Sequence, residues 1–306
     1  MKTTSKKIIM KKIFALVLSI MCAEMFFSCA TTALLTDALS LAGAIATDQG
    51  YGDAGKLLNA ASTTTKAMED ITPENEYYIG RAVAATVLVN YDTLYSPNLE
   101  LYLNKIMNAL AIHSDAALPY NGYHVKILYS KELNAFATCG GHIFITKGLI
   151  DATSSEDELA TALAHEMAHI QLQHSLKSIK SSRWTEAGLT ALNTAATVGS
   201  SSDEDALDDM VSDQISAMMS NGYSYNQEYD ADEKALKILA DAGYSPNAMI
   251  SMLETLKKIS GSKGSGLFKT HPKPDNRIAK VNKAIAKISI PEDTTSYRTA
   301  RFASKE

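Results

Sequence analysis

The feature that most constrains the fold is the segment His165-Glu166-Met167-Ala168-His169, which lies in a stretch, residues 157–178, that predicts one continuous helix. In an α-helix, residues four apart lie on the same face, so His165 and His169 can direct two imidazoles at one metal ion. Glu166 is offset by one residue, which places a carboxylate beside that metal without making it a ligand. The pattern is typical of zinc sites that keep one position open for water.

This helix is also expected to be buried. Apolar residues occupy nearly every side of it: Leu159, Ala160, Ala162, Leu163, Met167, Ala168, Ile170 and Leu172. One Glu and two His in a buried helix need polar partners, which a metal would supply. A chance match or a purely structural His pair is the alternative, and the apolar flanks favour the zinc site.

A zinc site with two His ligands needs a third ligand from the protein. The best source is the helix that opens at residues 226–232, where Glu228 and Asp232 are four apart and face the same way. Glu228 can bind zinc, and Asp232 can accept a hydrogen bond from the free ring nitrogen of His165 or His169. Taken alone, the segment could equally be a solvated acidic helix start.

The expected fold is α+β and mostly helical, with a small antiparallel sheet from about residue 123 to 146 that flanks the HExxH helix. Residues 142–146 are expected to form a hairpin with residues 133–138, and Ser155 with Glu158 is a capping-box pattern that starts the zinc helix. The other expected helices cover residues 74–91, 98–113, 246–258 and 275–287, with a mobile linker at 261–266.

The N-terminus predicts export. A basic head, an apolar run over residues 13–23 and the sequence Phe27-Ser28-Cys29 are typical of a signal peptide with a lipobox-like end. Cys29 would then be the lipidated first residue, and cleavage by ordinary signal peptidase or an uncleaved anchor are the alternatives. We expect residues 1–28 to be the signal, 29–72 a tether with possible helix, 73–290 the zinc peptidase domain and 291–306 a tail.

The charge excludes one class of function. The whole chain has a net charge of −5, and removal of residues 1–28, with five Lys and one Glu, leaves −9. No basic patch is present, so nucleic-acid binding is not expected. Cys139 would be the one cysteine left for chemistry, and it can be a turn residue, a zinc ligand or a redox-sensitive thiol.

From about Glu74 to Ile285 the chain resembles the gluzincin endopeptidase family that includes HtpX, the CAAX prenyl endopeptidase, BepA and LoiP, and its exported layout is most similar to lipoprotein proteases of the LoiP type. The motifs occur in the family's order: Asn134-Ala135-Phe136-Ala137 with Gly140-Gly141, Gly148-Leu149-Ile150, Glu158-Leu159-Ala160, His165 to His169 with His174, Glu228 to Asp232, Thr270-His271-Pro272 and Arg277-Ile278.

The resemblance implies a zincin catalytic domain in which His165, His169 and Glu228 hold one Zn²⁺ and Glu166 is the catalytic base. It implies that Asn134, Ala135, Phe136 and Ala137 form an edge strand on which an extended peptide pairs. It also implies that His271 can occupy the open zinc position as a gate or fourth ligand; a polar turn residue is the alternative.

Two positions depart from the family, Tyr225 and Cys139, and the second of these stands where Pro is frequent. Tyr225 stands where many members have an Arg, which leaves Tyr223, Tyr225 and His271 as candidates for the group that stabilises the transition state. His174 lies five residues beyond His169, off the metal face of a continuous helix, and is expected to be structural.

The expected activity is zinc-dependent cleavage of misfolded or misassembled proteins of the bacterial envelope, by a protein anchored through an N-terminal lipid, most simply on the periplasmic side of the outer membrane. The rival expectation is a chaperone-like assembly lipoprotein with a latent zinc site. The sequence does not define the oligomeric state.

Overall fold

The computed structural model describes residues 71–178, 222–260, 271, 274–289 and 295–305, and also residues 39–41, 43, 44, 47, 56 and 59. The predicted signal peptide, Cys29 and the predicted linker at 261–266 lie outside the described residues. No helix in the described part of the chain is long and apolar enough to cross a membrane.

The chain divides into two compact units. One comprises Met1–Ile71 and Lys177–Met210, and its described residues between 39 and 47 are helical. The other comprises Thr72–Leu176 and Val211–Glu306 and contains every predicted site residue that is described.

The second unit is mostly helical with one small sheet, which confirms the predicted α+β class. In chain order its described elements are α1 (Pro73–Asn90), α2 (Pro97–Ile112), β1 (His124–Leu128), β2 (Ala135–Ala137), a 3₁₀ turn (Cys139–Gly141), β3 (His142–Thr146), α3 (Lys147–Ala152), α4 (Glu156–Gln171), α5 (Tyr225–Asp241), α6 (Ala248–Ser260), α7 (Pro274–Ile285) and α8 (Thr295–Ala303).

The sheet is mixed, and the expectation of a purely antiparallel sheet was wrong. Its strand order is β1-β3-β2, with β2 antiparallel to β3 as predicted and β1 parallel to β3. The reason is the route of the chain. Residues 129–134 cross from β1 past the position of β3 to β2, and the β2–β3 hairpin then places β3 between β1 and β2. The outer edge of β1 is covered by residues 92–94, where Leu94 N–H bonds to Ile127 C=O and Thr93 bridges Leu128. The sheet edge left for another strand is therefore β2.

Helix α4 lies at the centre of the unit, and every residue from Glu156 to Ile170 is buried. It packs against α5, α6, α2 and β2. The Ser155 hydroxyl caps it by accepting from the Glu158 N–H (3.2 Å), while the Glu158 carboxylate bonds to Ser154. The predicted cap is thus confirmed in its serine half, and the glutamate reaches one residue further back than a capping box requires.

The helix is shorter than predicted. The continuous helix expected over residues 157–178 ends at Gln171, and helical structure resumes at His174 after a turn in which Gln173 has φ of +56°. A left-handed backbone at a non-glycine residue is uncommon and breaks the helical repeat. This turn changes the direction in which His174 points.

A tight contact fixes the hairpin turn against α1. A Cβ on Gly80 would lie 1.7 Å from the Cys139 carbonyl oxygen, and a Cβ on Gly140, which has φ of +74°, would lie 2.4 Å from Tyr77 Cα. Only glycine allows the two backbones to meet at this distance.

Candidate metal centre

Helices α4 and α5 bring the three predicted ligands together. The Nε2 atoms of His165 and His169 are 3.1 Å apart. The Glu228 carboxylate approaches both imidazoles, with Oε2 3.4 Å from His165 Nε2 and Oε1 3.5 Å from His169 Nε2. All three side chains are buried.

These distances suit a zinc ion. Tetrahedral ligands about 2.0–2.1 Å from zinc lie roughly 3.3–3.4 Å from one another, close to the three separations observed. Two imidazole nitrogens and one carboxylate oxygen form a donor set that zinc hydrolases use. His165, His169 and Glu228 are therefore the residues that would hold the metal, and the ligand atoms of these three and His271 all lie within 4.8 Å of one another.

Asp232 fixes the orientation of His165. Its Oδ1 lies 3.1 Å from His165 Nδ1, which donates to the carboxylate and so leaves Nε2 free to face the metal. Arg277, from α7, donates two hydrogen bonds to the same carboxylate, from Nε to Oδ2 at 2.8 Å and from Nη2 to Oδ1 at 2.6 Å. Its Nη1 is 3.5 Å from Glu228 Oε2. Arg277 thus supplies a buried positive charge to two carboxylates of the site.

His174 fixes the orientation of His169, as Asp232 fixes that of His165. The Nδ1 atoms of the two rings are 2.8 Å apart, so one ring donates to the other. On a continuous helix His174 would point about 140° away from His169, and the turn at Gln173 brings it back. The ring of Tyr223 stacks on His169 at 4.1 Å, and its hydroxyl lies 2.6 Å from Ser175 Oγ.

Glu166 is buried beside the cluster with one oxygen unpaired. Among the described residues, Oε2 of Glu166 has no hydrogen-bond partner, and Oε1 lies 3.7 Å from His271 Nε2. Burial raises the pKa of Glu166, although the neighbouring His271 and His165 oppose the shift. A carboxylate with a raised pKa and a free oxygen can exchange a proton with a group that enters the site.

His271 faces the predicted ligand Glu228. Its Nδ1 donates to both carboxylate oxygens, at 2.8 and 2.9 Å. The structure therefore places His271 in the site, within reach of Glu228 and Glu166.

The charges of the cluster are interdependent when no metal is present. Burial and Arg277 lower the pKa of His165, but Asp232 and Glu228 outweigh them and raise it to about 9. Burial also raises the pKa of Glu228, but His271 and His165 reverse the effect and hold it well below its usual range. Burial and the nearby His165 hold the pKa of His169 well below its usual range. One protonated imidazole between two carboxylates is the charge pattern that a divalent cation would replace.

The predicted substrate strand lies next to the site. Asn134 immediately precedes β2, which packs on α4. Thr146 N–H bonds to Asn134 C=O and Thr138 N–H to His142 C=O, so the alternation of an antiparallel pair directs the N–H and C=O groups of Ala135 and Ala137 away from β3.

The remaining candidates are placed as follows. Tyr225 is more than half exposed, whereas Tyr223 is stacked within the site. Cys139 is buried with its Sγ 3.5 Å from the Glu76 carbonyl oxygen, and burial together with Glu76 raises the pKa of the thiol to about 12.

Of two further residues that lie in the site, His174 was expected to be structural and Arg277 had no predicted role. The prediction that His174 lies off the metal face assumed a continuous helix, and no sequence signal marks the left-handed turn at Gln173. Arg277 lies six residues beyond His271 in a motif that matches the family, and this match was the sequence signal that could have identified it as a site residue.

Comparisons with known proteins agree with this geometry. The sequence model of peptidase family M48 matches residues 97–285. The beta-barrel assembly-enhancing protease of Yersinia pestis is 27% identical over 290 residues, which cover 89% of this chain and 56% of that protein. The metalloprotease YcaL of Escherichia coli K12 is 28% identical over 161 residues (53% of this chain, 61% of that protein). The metalloprotease LoiP of the same organism is 28% identical over 170 residues (56% and 64%). The chain spans about half the length of the curated relatives it matches.

Proposed function

The chain belongs to peptidase family M48, and from this premise we propose that it is a zinc metalloendopeptidase of the bacterial cell envelope. The observation that carries the proposal is the buried carboxylate oxygen of Glu166, unpaired among the described residues, beside a His165–His169–Glu228 cluster with the spacing of zinc ligands. A metal site that was only structural would have no use for such a group.

In this proposal His165, His169 and Glu228 hold one Zn²⁺ and Asp232 orients the first of these ligands. When bound, zinc would acidify a water molecule and polarise a peptide carbonyl. Glu166 takes the proton of the attacking water at its free Oε2 and later gives it to the leaving amine. Its raised pKa suits both steps, because the group must accept a proton near neutral pH and then release it.

The substrate is positioned by β2. An extended peptide laid along the outer edge of this strand would pair with the backbone groups of Ala135 and Ala137, which point away from β3. Main-chain pairing of this kind accepts many sequences, which suits a protease for unfolded or misassembled envelope proteins. It also holds the scissile bond in a fixed place relative to Glu166.

The location of the protein in the envelope rests on its N-terminus and its relatives. The signal-like residues 1–28 and a lipid on Cys29 would anchor the chain to a membrane, in our proposal the periplasmic side of the outer membrane. Several relatives carry the name beta-barrel assembly-enhancing protease, which describes work on envelope proteins.

His271 is proposed as the gate of the site. It already hydrogen-bonds to Glu228, and its other ring nitrogen faces Glu166. This arrangement also supports a second candidate function, a chaperone-like assembly factor with a latent zinc site. Replacement of His271 by Ala separates the two, because it should increase cleavage by a gated protease and leave a pure chaperone without activity.

The test of the proposal is cleavage of reduced casein by the full chain in detergent, loaded with zinc, against its Glu166→Gln variant. We expect the wild type to cut and the variant to bind zinc equally well and lose at least about a hundredfold in rate. Equal rates would remove Glu166 from the mechanism. If the wild type and His271→Ala both leave casein intact, the endopeptidase proposal is wrong.

A further inference from the structure

The outer face of α1 is apolar although it is exposed. The face of this helix that packs on the sheet is buried, at Gly80, Val83, Ala84 and Val87. A stripe along the opposite face consists of Tyr78, Ala82, Ala85 and Val89, all of them exposed. Tyr78 is 52% exposed and Val89 is 85% exposed, and no residue from Ala82 to Asn90 carries a charge. Helix α1 is therefore apolar on both sides.

This pattern is unusual among the described helices of the unit. The exposed faces of α2, α5, α6 and α7 carry charged side chains, for example Lys105, Glu233, Glu254 and Lys283. A helix that is apolar all round is normally buried, and a contiguous apolar patch on a protein surface commonly marks an interaction site. The described part of the chain leaves the stripe of α1 exposed, so the composition of the helix indicates a second partner on that side.

The spacing of the stripe indicates what kind of partner fits. Its residues are separated by steps of four, three and four, which is the a/d seam of a helix that packs against another helix. In an antiparallel pair of two copies of α1, Tyr78 of one copy faces Val89 of the other, and Ala82 faces Ala85. The small residues in the middle allow the helices to approach closely, and the larger residues meet at both ends. The stripe is thus complementary to its own copy, as an interface on a two-fold axis requires.

The residues beside the stripe suit the same arrangement. Leu88, which is 46% exposed, lies on one flank, and Arg81 lies on the same flank seven residues earlier. In the antiparallel register, Arg81 of one copy lies beside Leu88 of the other. The aliphatic stem of the arginine then covers the leucine while the guanidinium stays in water. The flank therefore adds contact area without burying a charge.

Two exposed tyrosines at the ends of α1 enlarge the surface. Tyr120, whose hydroxyl donates to Glu74 (3.3 Å), lies at the N-terminal end, and Tyr95 lies beyond the C-terminal end. They are 56% and 90% exposed, and antiparallel pairing brings Tyr120 of one copy towards Tyr95 of the other. Together with the stripe and Leu88, full coverage of these side chains would bury roughly 600–700 Å² per copy. The pair would then bury about 1,200–1,400 Å², which lies within the range of stable interfaces.

The charge of the chain favours a second copy over a membrane surface as the partner. A helix that lies in a bilayer interface combines its apolar face with several Lys or Arg residues. Helix α1 contains one cationic residue, Arg81, against Glu74 and Glu76, and the whole chain has a net charge of −5. An anionic bilayer gains little electrostatic attraction from such a helix, whereas the seam of a second copy is uncharged.

We propose that α1 forms a homodimer interface, in which two copies pair antiparallel about a two-fold axis that passes between Ala82 and Ala85. The metal centre stays open in this dimer. Leu128 and Phe144 pack on the α1 side of the sheet, whereas Ile143 belongs to the core around α4, so α1 and α4 lie on opposite faces of the sheet. The dimer does not depend on the proposed endopeptidase activity.

The first experiment is disulfide cross-linking of the full chain in detergent, because it reports both pairing and register. The double variant Tyr78→Cys/Val89→Cys is oxidised mildly, and linked peptides are identified by mass spectrometry. We expect a bond between position 78 of one copy and position 89 of the other. Each single variant should give no bond at its new cysteine, since the two copies of either position lie about 16 Å apart along the pair. The wild type gives the background from the native cysteines.

The second experiment measures the strength of the dimer by sedimentation equilibrium in density-matched detergent. Ala82→Glu places a charge in the middle of the seam, at a position that is exposed in the single chain, so it should weaken the dimer about a hundredfold or more and leave the fold intact. The matched control is Ala279→Glu, which changes an exposed alanine of α7 and should leave the dimer unchanged.

Four results would overturn the inference. The wild type could sediment as a monomer at about 100 µM, which is weaker than a specific dimer of this size requires. Ala82→Glu could dimerise as well as the wild type, which would place the interface elsewhere. The double variant could give no bond between positions 78 and 89, or Tyr78→Cys alone could link to its own copy, and either result would contradict the antiparallel register.

Discussion

The C-terminal helix α8 should stabilise the first turn of α4 mainly through Arg298. Arg298 donates from Nε to Asp157 Oδ2 at 2.8 Å, and both side chains are more than 90% buried. Arg301, one turn later, bonds to Glu156, but its own side chain is 56% exposed. The two arginines lie on the same helix and face neighbouring carboxylates, so each is a control for the other.

The expected costs differ because the carboxylates are left in different states. Without Arg298, the one described partner that Asp157 keeps is the Ser245 N–H, on Oδ1, and its Oδ2 becomes a buried charge with no partner among the described residues. Breaking a buried ion pair in this way costs about 3–5 kcal/mol. Without Arg301, the buried Glu156 carboxylate still accepts from Tyr102 and Tyr244, and a pair whose arginine is 56% exposed contributes about 1 kcal/mol or less.

The assay is urea unfolding of the metal-free chain and of its Arg298→Met and Arg301→Met variants, because methionine keeps most of the apolar stem. At a denaturant slope of about 2–3 kcal/mol per molar, Arg298→Met should lower the midpoint by roughly 1–2 M, against about 0.5 M or less for Arg301→Met. Adding Asp157→Asn to Arg298→Met should recover part of the loss, because the amide carries no charge. Equal midpoints for the two arginine variants, or no recovery, would refute the reasoning.

Three further predictions concern the site. Asp232→Asn should weaken zinc binding about 10–100-fold, measured by competition with a chelator, since the amide orients His165 less firmly. His174→Ala should weaken zinc binding in the same way through His169. If neither variant changes the zinc affinity, the orienting hydrogen bonds are unimportant. The metal-free protein should lose stability as the pH rises from about 6.5 to 9. The reason is that His165 has a higher pKa in the folded state, about 9, than in the unfolded state, so its stabilising effect is complete below the unfolded pKa and is lost as the pH passes the folded pKa. In the His165→Gln variant, the slope of the unfolding free energy against pH should flatten. Cys139 should resist iodoacetamide at pH 8 in the folded protein and react in urea, because its thiol pKa is raised to about 12. Fast labelling of Cys139 itself in the native chain, as distinct from Cys22 and Cys29, would contradict the buried position.

Features encoded in neighbouring residues could be predicted from the sequence. The i, i+4 spacing places His165 over His169 whatever the rest of the chain does, and the same spacing pairs Glu228 with Asp232 on α5. The predicted bounds of α1, α2, α6 and α7 were close for the same reason, whereas α4 ends at Gln171, seven residues before its predicted end. That α4 and α5 face each other was inferred from the chemistry of zinc, which needs a third ligand, and the separations of 3.4 and 3.5 Å are consistent with it.

Features that depend on distant parts of the chain could not be predicted. The parallel pairing of β1 with β3 depends on which side the connection at 129–134 takes, and alternating apolar residues read the same in either direction. The role of His174 depends on one left-handed residue, Gln173. The last residues of the chain gave no pattern, yet Arg298 reaches a carboxylate 141 positions earlier.

These long-range contacts explain how a helix as polar as α4 can be fully buried. At its first turn, Glu156 and Asp157 sit at the positive end of the helix dipole and accept bonds from α2, α8 and the segment after α5. Near its other end, His165 and His169 are held by Asp232 and His174. Partners from elsewhere in the chain thus satisfy Glu156, Asp157, His165 and His169, which is what burial requires. Among the described residues, the buried carboxylate oxygen that has no partner is Oε2 of Glu166. Leaving it unpaired costs stability, and in the proposed mechanism the fold accepts that cost at the position where an incoming water needs a base.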